Sequence, residues 1–246
     1  MNMKILKDIL IIAELKSLPD LKRQPLLLIF IGMLSALPLF FIVIFGGQLS
    51  YGLVGALVAT VGFIGLMAAI QEVAWDRYVK IREIMVAMPV HPFSYAIGVA
   101  LAPLMISAPG LLFFTALAAW LGVLTFSSLL WSILILILCW ATLSSLGFLI
   151  STYLQRASVY TLNNLSNILG IALVFIPPVY YPEEFLGSFS WIALIFPTSN
   201  AAGLIRIYSG LLDASVEMIV VRWLILIATM VVSAFVTVAK ARWREI

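Results

Sequence analysis

With 246 residues, 64% of them hydrophobic and 10% charged, and a mean hydropathy of +1.17, the chain lies far from the soluble norm of about 25% charged residues. It reads as one polytopic membrane domain and leaves no room for a sizeable soluble one. A single cysteine, Cys139, inside an apolar run excludes an internal disulfide and a cysteine metal site, and the net charge of +3 speaks of membrane sidedness rather than nucleic acid, because basic residues mark the loops left in the cytoplasm.

The N-terminus lacks a short apolar core followed by a small-residue cleavage site, so the first membrane span is expected to act as the targeting signal. Residues 1–24 interleave Lys4, Lys7, Lys16 and Lys22 with Ile5, Leu6, Ile9, Ile12 and Ala13. That spacing suits a helix lying along the membrane surface with its lysines toward anionic headgroups; an extramembrane helix or a frayed tail is the alternative. Leu26–Phe45 is uncharged and long enough to span, since about 20 residues at helical rise cross the hydrocarbon. Gly46, Gly47, Gln48 and Ser50 make a turn, and Tyr51–Ile70 is a second span.

Glu72–Phe93 is a polar island carrying Glu72, Asp76, Arg77, Lys80, Arg82 and Glu83. Glu72, Asp76, Lys80 and Glu83 recur at helical steps, opposite Trp75, Tyr78, Met85 and Met88, which is the period of an amphipathic helix. Pro89 and Pro92 end it. The expectation is a short stiff helix that leaves the membrane for water and returns, either as an ordinary solvated loop or as a docking element for a cytoplasmic partner.

Residues 92–155 carry no charge, and so long a run must fold back on itself. Thr125–Ser128 is its most polar interruption, which predicts a third span near 95–123, kinked at Pro103 and Pro109, and a fourth near 129–152. Gln155 and Arg156 form the next turn, and Val159–Pro177 is the fifth span. Beyond it, Glu183 and Glu184 precede a stretch apolar enough to suggest another crossing but broken by Gly187, Ser188, Ser190, Pro197, Asn200 and Gly203. Charge parity decides between the two. With the N-terminus in the cytoplasm, six spans leave inside every one of the 14 Lys and Arg residues except Arg206 and Arg222, whereas a seventh would put Lys240, Arg242 and Arg244 outside. Residues 183–212 are therefore expected to be short helices dipping into the outer leaflet. Met218–Ala239 is the last span, with Arg222 snorkelling to headgroups near its outer end.

Groups that would carry chemistry of the chain's own are few. The lone histidine, His91, sits between prolines as a turn residue; Glu183 and Glu184 are adjacent and diverge on a helix; no Walker-type glycine loop is present. The chain is therefore not expected to be an enzyme, and any transport must be driven from elsewhere. In the fifth span Asn163 and Asn167 share a face with Tyr160, which fits a substrate route, a subunit interface or plain interhelical hydrogen bonding.

Glu83 followed by Pro89, Val90, Pro92 and Gly98 resembles the cytoplasmic coupling-helix region of type-2 ABC transporter permeases, with Met88 where threonine is usual, His91 for serine, Lys80 for glycine and Val99 for a frequent lysine. Phe196, Pro197, Thr198 and Asn200, with Arg206 and Gly210, are similar to that family's stretch before its last span. The resemblance covers nearly the whole chain in layout. It implies an all-α fold of six transmembrane helices, an N-terminal amphipathic connecting helix (1–24), a coupling region (72–93) and an extracellular re-entrant region (183–212) containing Glu183, Glu184, Pro197, Asn200 and Arg206. It also implies a second permease, the same or related, and two copies of a cytoplasmic ABC ATPase that hold ATP and Mg, this chain holding no cofactor or metal and binding no nucleic acid. Arg77, Lys80, Arg82, Glu83, Met85, Met88 and Pro89 would meet the ATPase, and Tyr160, Asn163 and Asn167 would line the substrate path or the dimer interface. The expected setting is the plasma (inner) membrane of a prokaryote, surrounded by lipid, with both termini cytoplasmic and an amphipathic or lipid-like cargo moving outward. The rival readings are an ATP-independent lipid scramblase or channel, an intramembrane enzyme, and an assembly subunit that moves nothing.

Overall fold

The computed structural model describes residues 3–23, 48–81, 90–154 and 156–240. The predicted first span Leu26–Phe45, and Arg82, Glu83, Met85, Met88 and Pro89 of the predicted coupling region, lie outside them. Among the described residues every regular element is helical: α1 Met3–Arg23, α2 Leu49–Tyr78, α3 Pro92–Trp120, α4 Phe126–Tyr153, α5 Val159–Phe175, a 3-10 segment Glu183–Phe189, the single turn α6 Ile192–Ile195, α7 Pro197–Tyr208 and α8 Val216–Lys240. Helices α2, α3, α4 and α8 are long and apolar enough to cross a membrane, and α5 is apolar but shorter. The chain is a multi-pass membrane protein by that measure.

Sequence chemistry sets the boundaries. Thr125 accepts from the backbone of Ser128 while the Ser128 hydroxyl accepts from the backbone of Thr125, a reciprocal cap that opens α4 three residues before its expected start. Ser158 caps α5 more simply, its hydroxyl accepting from the Thr161 amide. Helix α3 starts at Pro92, whose missing N–H costs nothing in a first turn, and continues through both Pro103 and Pro109.

Helix α2 is the axis: 83% of its most apolar stretch is buried, against 17% for α8 at the periphery. It touches α3, α4, α5 and α7, whereas α8 leans on α4 and α7 and turns Leu224, Val231 and Phe235 outward. The close approach of α4 needs glycine, because a Cβ on Gly147 would stand 2.7 Å from the Leu66 carbonyl oxygen. Midway, Phe63–Ala68 winds as a π segment, a form that recurs at functional positions in helices.

Two expectations change here. Glu72–Tyr78 is the last part of α2 rather than a separate helix in water, and the face holding Glu72 and Asp76 points into the protein while Trp75 and Tyr78 lie exposed. The carboxylates turn inward because a lysine waits there. Helix α1 packs lengthwise on α3, burying Ile9, Ile12 and Ala13, and its Lys16 faces α2 instead of headgroups. The apolar stretch 183–212 breaks into short pieces, the longest being the 12 residues of α7, well below the roughly 20 a crossing needs.

Candidate functional site

Charged side chains gather at both ends of the bundle. At the end carrying α1, Lys16 Nζ lies 2.8 Å from Glu72 Oε2 and 2.6 Å from Asp76 Oδ1, and the Tyr95 hydroxyl of α3 donates to Asp76 Oδ2 at 2.7 Å. The spacing of four residues stacks both carboxylates on one face of α2, so a single lysine can bridge them. Burial works to lower the Lys16 pKa, but attraction to Glu72 and Asp76 and its hydrogen bonds to them outweigh that and raise it above the ordinary lysine value of 10.5. Tyr95 also stands edge-on to Phe148 of α4 at 6.1 Å. One cluster therefore joins α1, α2, α3 and α4.

Beside it opens a cleft of about 520 Å³ between α2 and α5, lined among the described residues by Gln71, Glu72, Trp75 and Tyr78 on one wall and Tyr160 and Asn163 on the other. At the cleft's inner edge Gln71 donates to Ser166 Oγ at 3.0 Å and to Asn167 Oδ1 at 3.3 Å. The three residues singled out on the fifth span thus divide. Tyr160 and Asn163 face the cleft, whereas Asn167 is engaged in an interhelical bond. Gln71, Glu72 and Trp75 complete the cleft and were not assigned to it from sequence; two acids one helical turn apart at the end of an apolar helix were the available signal, since ionisable groups near membrane depth have partners.

Of the predicted coupling residues within the described segments, Arg77 donates to the Leu154 carbonyl oxygen at 3.3 Å, tying the end of α2 to that of α4. Lys80 is exposed in the turn just past the end of α2, with φ +62°, a left-handed conformation that favours glycine. His91 Nδ1 accepts from the Phe93 amide at 3.2 Å and caps α3. Among the described residues no group of three His, Cys, Asp or Glu could hold a metal.

At the opposite end Arg222 of α8 is 2% exposed and meets Glu183 with its Nη2 at 2.6 Å. The expected snorkelling to headgroups does not occur, because an acid on the preceding connection lies within reach. Gly203 makes the room, since any Cβ there would collide with the Arg222 guanidinium. Arg206 donates to the carbonyl oxygens of Pro178, Val179 and Tyr181 and rests over the Tyr51 ring at 4.3 Å. Asn200 Nδ2 donates to the Leu194 and Phe196 carbonyl oxygens, stitching α6 to α7 across Pro197, which opens α7. Glu183, exposed Glu184 and Arg206 border a second cleft of about 360 Å³ with Tyr51.

Comparison with known protein families, with curated proteins and with solved structures returns no match to this chain.

Proposed function

We propose that the chain is the membrane-spanning permease subunit of an ATP-driven exporter of the type-2 ABC class, powered by a separate cytoplasmic ATPase. The observation that carries this reading is the Lys16 cluster. It ties α1 to the end of α2 and the start of α3, so a partner pressing on the connection between α2 and α3 would move the three together. Because α2 is also the buried axis, such a displacement would reach the cleft beside α5.

In this reading Leu26–Phe45 is the first of six spans and α2, α3, α4, α5 and α8 are the others. The pieces from Glu183 to Tyr208 dip into the outer leaflet, and the α1 end is cytoplasmic because almost all Lys and Arg residues fall there. Two permeases, the same or related, pair in a prokaryotic inner membrane, and each receives one ATPase that holds ATP and Mg. Closure of the ATPase pair pushes residues 79–91, and α2 tilts to widen or squeeze the cleft lined by Tyr160 and Asn163.

The experiment is affinity purification of the tagged protein from its native membrane in mild detergent, with mass spectrometry of what accompanies it. A Walker-type ATPase at equal stoichiometry, lost when Arg82 and Glu83 are reversed in charge, is the expected result. A well-folded protein that repeatedly emerges without an ATPase would turn the reading to an ATP-independent scramblase, which the open polar cleft also suits.

A further inference from the structure

We infer that the cleft between α2 and α5 takes an amphipathic organic cation, recognised by the Glu72 carboxylate and held against the rings of Trp75, Tyr78 and Tyr160. This deepens the permease reading and rests on it, naming the class of cargo. Among the described residues the cluster brings two carboxylates to one ammonium, which leaves one negative charge in excess. The two acids do not share it equally. Asp76 is sealed, accepting from both Lys16 and Tyr95, whereas the Glu72 side chain remains 33% exposed and borders the cleft. The excess charge therefore has its accessible edge in the cleft.

The surrounding wall suits a cation with an apolar body. Trp75 and Tyr78 lie 5.5 Å apart and are exposed, and Tyr160 stands across from them, so aromatic faces flank the carboxylate. Such faces attract cations through the ring quadrupole. Gln71 and Asn163 add amides that orient without adding charge. A cleft of about 520 Å³ falls inside the range of about 300–1,000 Å³ typical of small-molecule sites. A bare metal ion would find both carboxylates already bonded to lysine and Asp76 sealed, and an anion would meet the excess negative charge.

The test uses the full-length permease in nanodiscs of zwitterionic lipid, with equilibrium binding of tetraphenylphosphonium and of tetraphenylborate, ions of similar shape and opposite charge, each corrected for empty nanodiscs. Tetraphenylphosphonium should bind saturably and roughly tenfold or more tighter than tetraphenylborate. Glu72→Gln removes the excess charge but leaves Lys16 paired with Asp76, and it should weaken the cation roughly tenfold, with Glu72→Asp recovering part of the loss. Equal binding of the two ions, or unchanged cation affinity in folded Glu72→Gln, would overturn the assignment. Should Glu72→Gln fail to purify as a monodisperse protein, the pair Trp75→Leu and Tyr160→Leu decides, because these rings are 53% and 81% exposed and support no core; unchanged affinity there would equally overturn it. Binding is read without an ATPase. A permease that co-purifies an ATPase but shows no cation preference loses only this inference, and one that binds the cation but has no ATPase loses only the exporter reading.

Discussion

The two ends of the bundle solve the problem of a buried charge differently. At the far end, the Arg222 guanidinium is enclosed against α7 and meets Glu183, while Arg206 is spent on three carbonyl groups and a ring face; both arginines are almost fully buried. At the α1 end one lysine serves two acids, and one of those acids reaches an open cleft. Glu183 and Arg206 also border a cleft, but there Arg222 is matched by Glu183 and Arg206 by carbonyl groups, so that cluster leaves no charge unpartnered and can only hold. One with a surplus charge at an opening can also exchange partners, so the first end is read as the anchor of the fold and the second as its working part.

The largest effect is expected where the charge is most enclosed. Arg222→Met strands Glu183 and should cost about 3–5 kcal/mol of stability, seen as a lower unfolding midpoint in detergent, and Arg222→Met with Glu183→Leu should recover much of it. A wild-type midpoint for the single variant would break the anchor reading. Lys16→Met lets Glu72 turn to water in the cleft but strips sealed Asp76 of its counter-charge, so it should cost a comparable amount, about 3–5 kcal/mol, and it should speed tryptic cleavage after Lys22 and Arg23 by loosening α1. Asp76→Asn should destabilise more than Glu72→Gln, since only Asp76 is sealed; the reverse order would contradict the division of roles between the two acids.

A milder test is pH. The raised Lys16 pKa means that the folded state holds this proton more tightly than the unfolded chain, so its contribution is complete below 10.5 and is lost as pH rises through the raised value. A spin label at Leu10 should therefore gain mobility only in that alkaline range, and Lys16→Met should remove the Lys16 part of the transition. The smallest expected change belongs to the far-end aromatic group, where Trp131 stacks on Tyr208 at 4.8 Å and Trp223 Nε1 donates to the Tyr208 hydroxyl at 3.0 Å. Trp223→Phe should cost about 0.5–1.5 kcal/mol in the same unfolding measurement and leave cleft binding unchanged.

Much of the layout was legible because it depends on run length and on local caps. The uncharged run 92–155 divides into α3 and α4 at its most polar interruption, Thr125 and Ser158 carry short-range capping chemistry, and Pro197 and Asn200 mark the break before α7 where the structure has it. What escaped is long-range pairing. Lys16 and Asp76 are 60 residues apart and Glu183 and Arg222 are 39 apart, and no periodicity within one helix reports such a partner. Amphipathic spacing misled for the same reason: Glu72 and Asp76 mark a polar face, but only the presence of Lys16 tells whether that face meets water or protein. Tyr160 and Asn163 fall on the α5 face across from α2 and line the cleft. Their neighbour Asn167 meets Gln71 instead, a distinction that depends on the depth at which α2 and α5 touch.

The central claim is that ATP on a partner subunit moves the α1 end while the far end stays fixed. It is tested most directly by electron-spin distance measurements on the permease with its co-purified ATPase, in a Cys139→Ser background, labelling exposed Leu15 of α1 and Ile168 of α5 in one sample and exposed Phe185 and Val216 in another. Trapping with ATP and vanadate should shift the Leu15–Ile168 distribution by several ångströms, on the order of the shifts known for packed helices, and leave Phe185–Val216 as it was. A fixed first distance with a moving second one, or no change in either, would contradict the account.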